Sequence, residues 1–329
     1  MHVTFSIARR KPQQQQSYQQ QYTLTIAPGQ TVLEGLLQIK AEQDGTLAFR
    51  KNCRNTICGS CAMSINGRST LACKENIAKE VERFNTTEIA IAPLGNLPVI
   101  RDLIVDLNPF WQDLESVDPY VSTQGRALPE REFLQTPEQR SQLEQMGNCI
   151  LCGACYGECN AKAVNPEFVG PHALAKAQRL VGDNRDSQTT ARLKKYGEDL
   201  SGVWGCTRCY QCNAVCPMGV EPMGQISKLK QAILTEASPQ DSRPVRHRKT
   251  LVELVKSGGW IDERQFGVQV VGNYFRDLKG LLSLAPLGLR MLARGKFPLT
   301  FEPSEGTEEV RNLITAVQQV KSYSRYDKE

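Results

Sequence analysis

The sequence predicts an α+β chain of two domains, a small N-terminal sheet crossed by one helix and then an all-helical part. Three observations carry this. Strand-like alternation and a hairpin turn crowd the first third of the chain, and helical spacing of apolar residues takes over later. Twelve cysteines fall into three groups of four, one group in the first part and two in the second. A length of 329 residues suits two domains, each able to bury a core. Hydrophobic content of 40% and charged content of 23% exclude a mainly disordered chain, a collagen-like repeat and a coiled coil.

The elements follow in order. Residues 22–26 and 88–92 alternate apolar and polar as half-buried strands do, and Asn66-Gly67 is a hairpin signal. Residues 31–42 carry apolar side chains at helical spacing, which completes a β-grasp-like domain over 1–120. The glutamine-rich stretch 12–21 interrupts the first hairpin and reads as a solvated loop. Residues 113–129 mix polar and turn residues and link the domains, and a helix is expected over 130–146. Pro171 opens a helix running to Val181, and Ile226, Leu229, Ile233 and Leu234 mark another that begins after Pro222. These form a second domain over 121–240. Residues 241–329 read as a C-terminal extension. Its basic run 243–249 is expected to be a solvated face. Its uncharged run 280–289, broken by Pro286, is too short to span a bilayer and suits a partner contact, a membrane-surface contact or plain packing.

The cysteine spacings say what these domains hold. Cys53, Cys58, Cys61 and Cys73 read C-x4-C-x2-C with a last cysteine after eleven intervening residues, the plant-type [2Fe–2S] spacing. Gly59 suits a backbone that must wrap closely around inorganic sulfide. Cys149, Cys152, Cys155 and Cys159 read C-x2-C-x2-C-x3-C, and Cys206, Cys209, Cys212 and Cys216 repeat that spacing and end in Pro217. In two-cluster ferredoxins the fourth cysteine of each run ligates the other cluster. The expected sets are therefore Cys149, Cys152, Cys155 and Cys216 for a [4Fe–4S] cluster, and Cys159, Cys206, Cys209 and Cys212 for the other. The fold class is thus α+β: an N-terminal β-grasp [2Fe–2S] ferredoxin-like domain plus a C-terminal all-α dicluster ferredoxin-like domain.

The rival chemistry is zinc, which with the formal charge of +5 would make a zinc-stabilised nucleic-acid-binding protein. Zinc hooks usually offer two cysteines each, whereas both later runs offer three at x2 spacing and then a fourth. His2, His172 and His247 lie far from any hook and read as ordinary surface or second-shell histidines. Three thiolate clusters at about −2 each would bring the charge near −1, so the basic excess offsets buried clusters. The start MHVTFSIARRK lacks a signal-peptide pattern and no stretch spans a membrane, which implies a reducing compartment. No G-x-G-x-x-G fingerprint, P-loop or histidine acid/base pair is present, so no catalytic residue is assigned.

With CGSCAMSINGRSTLAC, CILCGACYGEC, residues 165–171 (NPEFVGP) and CNAVCPMGVEP in this order, the chain resembles the iron–sulfur subunit of succinate dehydrogenase and fumarate reductase over roughly residues 1–240. The resemblance implies an oxidoreductase subunit of the tricarboxylic acid cycle and respiratory chain. It would carry electrons from an FAD-containing flavoprotein through [2Fe–2S], [4Fe–4S] and a third cluster toward quinone, with succinate oxidised on the flavoprotein. It also implies a peripheral place on the cytoplasmic side of the membrane, bound to an anchor subunit. The alternatives are a fumarate reductase or glycolate-oxidase-like iron–sulfur subunit. Arg50, Lys51 and Arg54 beside the first loop then either face the flavoprotein or simply keep the domain soluble.

Three departures from the family pattern matter. Most members have an aliphatic residue where Cys209 stands, leaving Cys159, Cys206 and Cys212 to hold [3Fe–4S]. Cys209 is therefore either the fourth ligand of a second [4Fe–4S], as in a subgroup paired with a cysteine-rich, heterodisulfide-reductase-like anchor, or a free buried thiol. The tryptophan and histidine of ubiquinone-type members are replaced by Val164 and Thr207, which removes polar partners for a quinone headgroup. Asn160 replaces the usual proline after Cys159, a change expected to act locally.

Overall fold

A computed structural model describes residues 1–12, 16–197, 200–235, 242–297 and 300–323, in two compact units, Met1–Glu236 and Ala237–Glu329. The first unit opens with strand β1 (His2–Arg9), whose Val3, Phe5 and Ile7 alternate into the core, and strand β2 (Tyr18–Thr25). Helix α1 (Val32–Glu42) follows, started by a capping box between Thr31 and Glu34, and buries Val32, Leu33, Leu36 and Ile39. Strands β3 (Ala62–Ile65) and β4 (Arg68–Leu71) form a hairpin at Asn66-Gly67, where both residues take the positive φ that a tight hairpin turn demands. Helix α2 (Ile77–Phe84) and strand β5 (Glu88–Ala92) complete the domain.

The sheet order is β2-β1-β5-β3-β4, with β1 antiparallel to β2 and parallel to β5, so Phe5 sits between Tyr22 and Ile89. One correction concerns the glutamine-rich stretch. Gln19, Gln20 and Gln21 pair with Ala8, Ile7 and Ser6, so the end of the expected loop, residues 18–21, is strand. Strand β2 is an edge with one wet face, where glutamines are tolerated while Tyr22 and Leu24 point inward. Residues 13–15 lie outside the described residues.

A buried ion network braces this domain. Arg9 donates to Asp102 Oδ1 at 3.0 Å, to Asp44 Oδ2 at 2.6 Å, to Thr46 Oγ1 at 2.9 Å and to the Tyr22 hydroxyl. Asp102 also accepts from the Arg10 and Ala48 amides, so both its oxygens are engaged.

A short hairpin, β6 (Val99–Arg101) and β7 (Ile104–Val105), leads to helix α3 (Asn108–Glu115). The expected helix over 130–146 is shorter, α4 (Pro137–Gly147), because the capping box of Thr136 with Gln139 and Pro137 at its first turn fix the start. Then come α5 (Ala154–Gly157), α6 (Asn160–Val164), α7 (Gly170–Val181), α8 (Thr189–Tyr196), α9 (Gln211–Ala214) and α10 (Pro222–Thr235). Helices α7 and α10 pack together around Leu174, Ala177, Ile226, Leu229 and Ile233. Leu114 and Val117, just before the expected boundary near residue 120, are buried in this helical core. The sheet and helical parts also touch closely: a Cβ on Gly95 would stand 2.6 Å from the Gly157 carbonyl oxygen, and Asn96 Nδ2 donates to the carbonyls of Tyr156 and Cys159 at 2.8 and 3.0 Å.

The second unit holds α11 (Arg243–Gly258), α12 (Glu263–Phe266), a π-helical turn (Gly267–Val271), α13 (Leu278–Ser283), α14 (Ala285–Ala293) and α15 (Thr307–Tyr323). Helix α11 buries Val245, Thr250 and Leu254 while Arg243, Arg248 and Lys249 face solvent, and it packs on α15 and on the π-helical turn.

Candidate metal centres

The first centre is built by the loop before β3 and by the end of β4. Its backbone is bent so that amides meet sulfurs: the Asn55 and Cys58 N–H groups donate to Cys53 Sγ at 3.3 Å, the Cys53 N–H to Cys58 Sγ at 3.4 Å and the Thr56 N–H to Cys73 Sγ at 3.3 Å. Arg54 and Thr56 hold positive φ (59° and 57°), a strained setting for any residue with a side chain, most of all the β-branched Thr56, and the amides so aimed lie at the sulfurs. Burial raises the Cys58 thiol, but hydrogen bonds from the Ser60 hydroxyl at 3.2 Å and from backbone amides outweigh it and hold Cys58 down to about 6. Cys61, buried beside Cys73 and Cys58, is pushed up to about 12. Arg50 is half-buried with Nη1 on the Val105 carbonyl at 2.7 Å, whereas Lys51 and Arg54 are exposed.

The second centre is a cavity whose lining includes Cys149, Cys152, Cys155 and Cys216. Burial raises the Cys149 thiol, lifts Cys152 to about 11 and holds Cys155 well above the ordinary thiol range; the neighbouring Cys216 adds to each. The Val220 N–H donates to Cys216 Sγ at 3.4 Å. The third group shows the same electrostatic neighbourhood. Burial raises Cys159, with Cys206 and Cys209 adding, and lifts Cys212 to about 12, with Cys206, Cys159 and Cys209 adding. The Lys162 N–H donates to Cys159 Sγ at 3.4 Å. The structure therefore brings Cys216 to the run that starts at Cys149, and Cys159 to the run that starts at Cys206.

The two runs also share a backbone. Leu151 and Arg208, each two residues after the first cysteine of its run, are left-handed (φ 53° and 59°), and so are Gly153 and Tyr210 two residues further on (φ 82° and 62°). Each of the latter caps a four-residue helix, α5 and α9. Cys209 thus occupies in its run the place that Cys152 occupies in the other. It is exposed, which corrects the expectation that a non-ligating Cys209 would be a buried thiol. Val164, 81% exposed, and Thr207, Arg208 and Tyr210 are on the surface too.

Of the two expectations for His172, surface or beside a centre, the structure takes the second, since His172 is buried in the lining of the cavity that holds Cys149, Cys152, Cys155 and Cys216. It lies 1% exposed with Nε2 donating to the Phe110 carbonyl at 2.9 Å and its ring stacked 3.9 Å from that of Phe110. Burial pushes its pKa down to about 3, so it is neutral, and Nδ1 is buried without a hydrogen-bond partner. Sequence spacing also misses Lys162. Its ammonium is buried, held by Asp113 Oδ2 at 2.6 Å and by the carbonyls of Pro166 and Phe168 at 2.7 and 2.8 Å, and nothing local marks a lysine paired 49 residues away. Asn160 starts α6 with Cys159 as its cap.

Among the described residues no three His, Cys, Asp or Glu side chains converge to hold a single metal ion. The donor sets fit iron–sulfur clusters: four thiols each, burial that an iron charge would offset, and backbone amides on the sulfurs.

Comparison with known proteins gives the same reading. Residues 4–112 match a 2Fe-2S iron–sulfur cluster binding domain, and residues 145–220 a 4Fe-4S dicluster domain. Both are iron–sulfur families, which goes against the zinc alternative. The chain is 39% identical over 203 residues to succinate dehydrogenase [ubiquinone] iron-sulfur subunit 3, mitochondrial, of Arabidopsis thaliana, covering 61% of this chain and 64% of that relative's length. It is 36% identical over 237 residues to the fumarate reductase iron-sulfur subunit of Mycobacterium tuberculosis, covering 71% of this chain and 94% of the relative. A chain of the Mycobacterium smegmatis Sdh1 complex in the apo form shares the fold, with a TM-score of 0.59 and 24% identity over 70% of this chain and 94% of that one. With all but a small part of the mycobacterial relative matched, the chain belongs to the family of succinate dehydrogenase and fumarate reductase iron–sulfur subunits.

Proposed function

We propose that this chain is the electron-transfer subunit of a succinate:quinone oxidoreductase. Bound clusters would supply the one-electron steps, from the flavin of a partner flavoprotein through [2Fe–2S], then [4Fe–4S], then a third cluster toward quinone. The observation that carries this is the contiguity of three four-thiol groups. Gly59 in the first loop packs on Cys152 of the second group, and Cys155 of the second lies within electrostatic reach of Cys212 of the third. The chain's own part is to hold these groups in line and exclude water; succinate chemistry falls to the flavoprotein.

The ligand sets in this reading are Cys53, Cys58, Cys61 and Cys73; Cys149, Cys152, Cys155 and Cys216; and Cys159, Cys206, Cys209 and Cys212. The matched backbones around Cys152 and Cys209 support a thiolate at both places, hence a second [4Fe–4S] as the third centre. With Val164 and Thr207, both on the surface, in place of the tryptophan and histidine of ubiquinone-type members, the acceptor is reached through a cysteine-rich anchor of the heterodisulfide-reductase-like kind, on the cytoplasmic side of a membrane. The test is reduction by succinate. The clusters of the purified chain should stay oxidised with succinate alone and be reduced once the flavoprotein is added; reduction without flavoprotein would overturn this division of labour. A fumarate reductase among the relatives keeps the opposite direction open, and redox titration of the second and third centres against the membrane quinone decides it.

A further inference from the structure

From the second unit we infer a lipid-binding surface: the segment 274–297 lies in the plane of an anionic bilayer, its leucines in the acyl boundary and its cations on the headgroups. Two short helices, α13 and α14, present it. Leu281 and Leu284 of this segment pack inward, against Gly272 and Gly267 of the neighbouring turn. Outward stand Leu278 (65% exposed), Leu282 (70%), Leu289 (66%) and Leu292 (54%), spaced three or four residues apart within each helix so that each pair shares a face. Just before them Asn273, Tyr274 and Phe275 are three successive left-handed residues, and both aromatic rings project into solvent. Strained backbone that holds two aromatics out of the core is expected at a functional surface, and amphipathic aromatics suit a membrane interface.

Charge chooses the occupant. Between residues 274 and 297 there are five cations, Arg276, Lys279, Arg290, Arg294 and Lys296, against one acid, Asp277, whose carboxylate is engaged in capping α13 at the Gly280 N–H. Among the described residues none of the five is in an ion pair with a carboxylate. A net-cationic rim around exposed leucines is the signature of a helix lying on an anionic leaflet, where the apolar area and the polybasic charge act together. The run is too short to cross, and no helix among the described residues is long and apolar enough to do so. This surface is independent of the cluster assignment.

The test is cosedimentation of the full cluster-loaded chain with vesicles of phosphatidylcholine alone or mixed with phosphatidylglycerol. Binding should be at least tenfold stronger to the anionic vesicles and weaken as salt is raised. Replacing Arg290, Arg294 and Lys296 together by glutamine should lower that binding about tenfold or more. Leu282→Asp combined with Leu289→Asp should abolish it. All these side chains are exposed, and if the aspartate variant failed to fold, the glutamine variant would still decide. Equal binding to both vesicles, binding to neither, or unchanged binding by the glutamine variant overturns the inference. So does concentration-dependent self-association that the leucine variant removes while vesicle binding stays, since this face would then belong to a second copy.

Discussion

Gly59 and Cys152 are in contact: a Cβ built on Gly59 would stand 2.9 Å from both the Cα and the Cβ of Cys152. Gly59 has φ +71° and follows Cys58, so one residue answers two demands, a left-handed turn inside the first cysteine loop and close approach to the second. Gly59→Ala should cost about 1–2 kcal/mol for the backbone alone, with a further loss from the clash. It should slow reduction of the second centre by the first, read by rapid-freeze spectroscopy. A variant with wild-type stability and wild-type transfer would show that this contact matters to neither.

The fourth thiol of the third group has its own signature. Cys209→Ser should turn the third centre into a three-iron cluster, giving a new paramagnetic signal in the oxidised protein. An unchanged third-centre spectrum would leave Cys209 without a role as ligand.

Crossed ligation is tested by removing the last cysteine of each run. Cys216→Ser should damage the second centre, whose other ligands begin at Cys149, and Cys159→Ser the third. If each substitution instead damaged the centre of its own run, the crossed reading would fail.

His172 makes stability depend on mild acid. Its folded pKa, pushed down to about 3 by burial, lies below the unfolded value of about 6.5. As pH falls through 6.5 the unfolded chain takes up a proton that the native chain refuses, so native stability is lost on acidification. About 2 kcal/mol should go between pH 7.5 and pH 5. His172→Leu, which does not titrate, should be less stable at neutral pH but close the gap with the wild type at pH 5 in denaturant melts. Parallel pH profiles for the two proteins would count against a buried neutral imidazole.

The Arg9 network should behave as a buried ion pair that is costly to break. Arg9→Met leaves Asp102 buried without its guanidinium and should destabilise the chain by about 3–5 kcal/mol. Arg9→Met with Asp102→Asn should recover part of that loss in a double-mutant cycle; additive losses would mean the two side chains do not interact.

Much of this architecture is legible in the amino-acid order. The three cysteine spacings announce three centres, because cluster loops need ligands at fixed separations, and the alternation at 22–26 and 88–92 announces the sheet. What stays hidden depends on residues far apart along the chain. Burial of His172 against Phe110 and the pairing of Lys162 with Asp113 leave no local pattern. The late start of α4 is readable in the Thr136–Gln139 capping box, a signal that the polar run before it obscures. The contribution of Gln19–Gln21 to β2 escapes a local reading because glutamine runs resemble loops, and only pairing with β1 makes them strand.

The most direct measurement is electron paramagnetic resonance on the anaerobically purified full chain, first oxidised and then reduced. The protein should be brown, with about ten irons per chain for one [2Fe–2S] and two [4Fe–4S] clusters, silent when oxidised and giving overlapping signals on reduction. A strong signal from the oxidised sample would mean a three-iron third centre with Cys209 a bystander, and colourless protein holding zinc would contradict the whole reading.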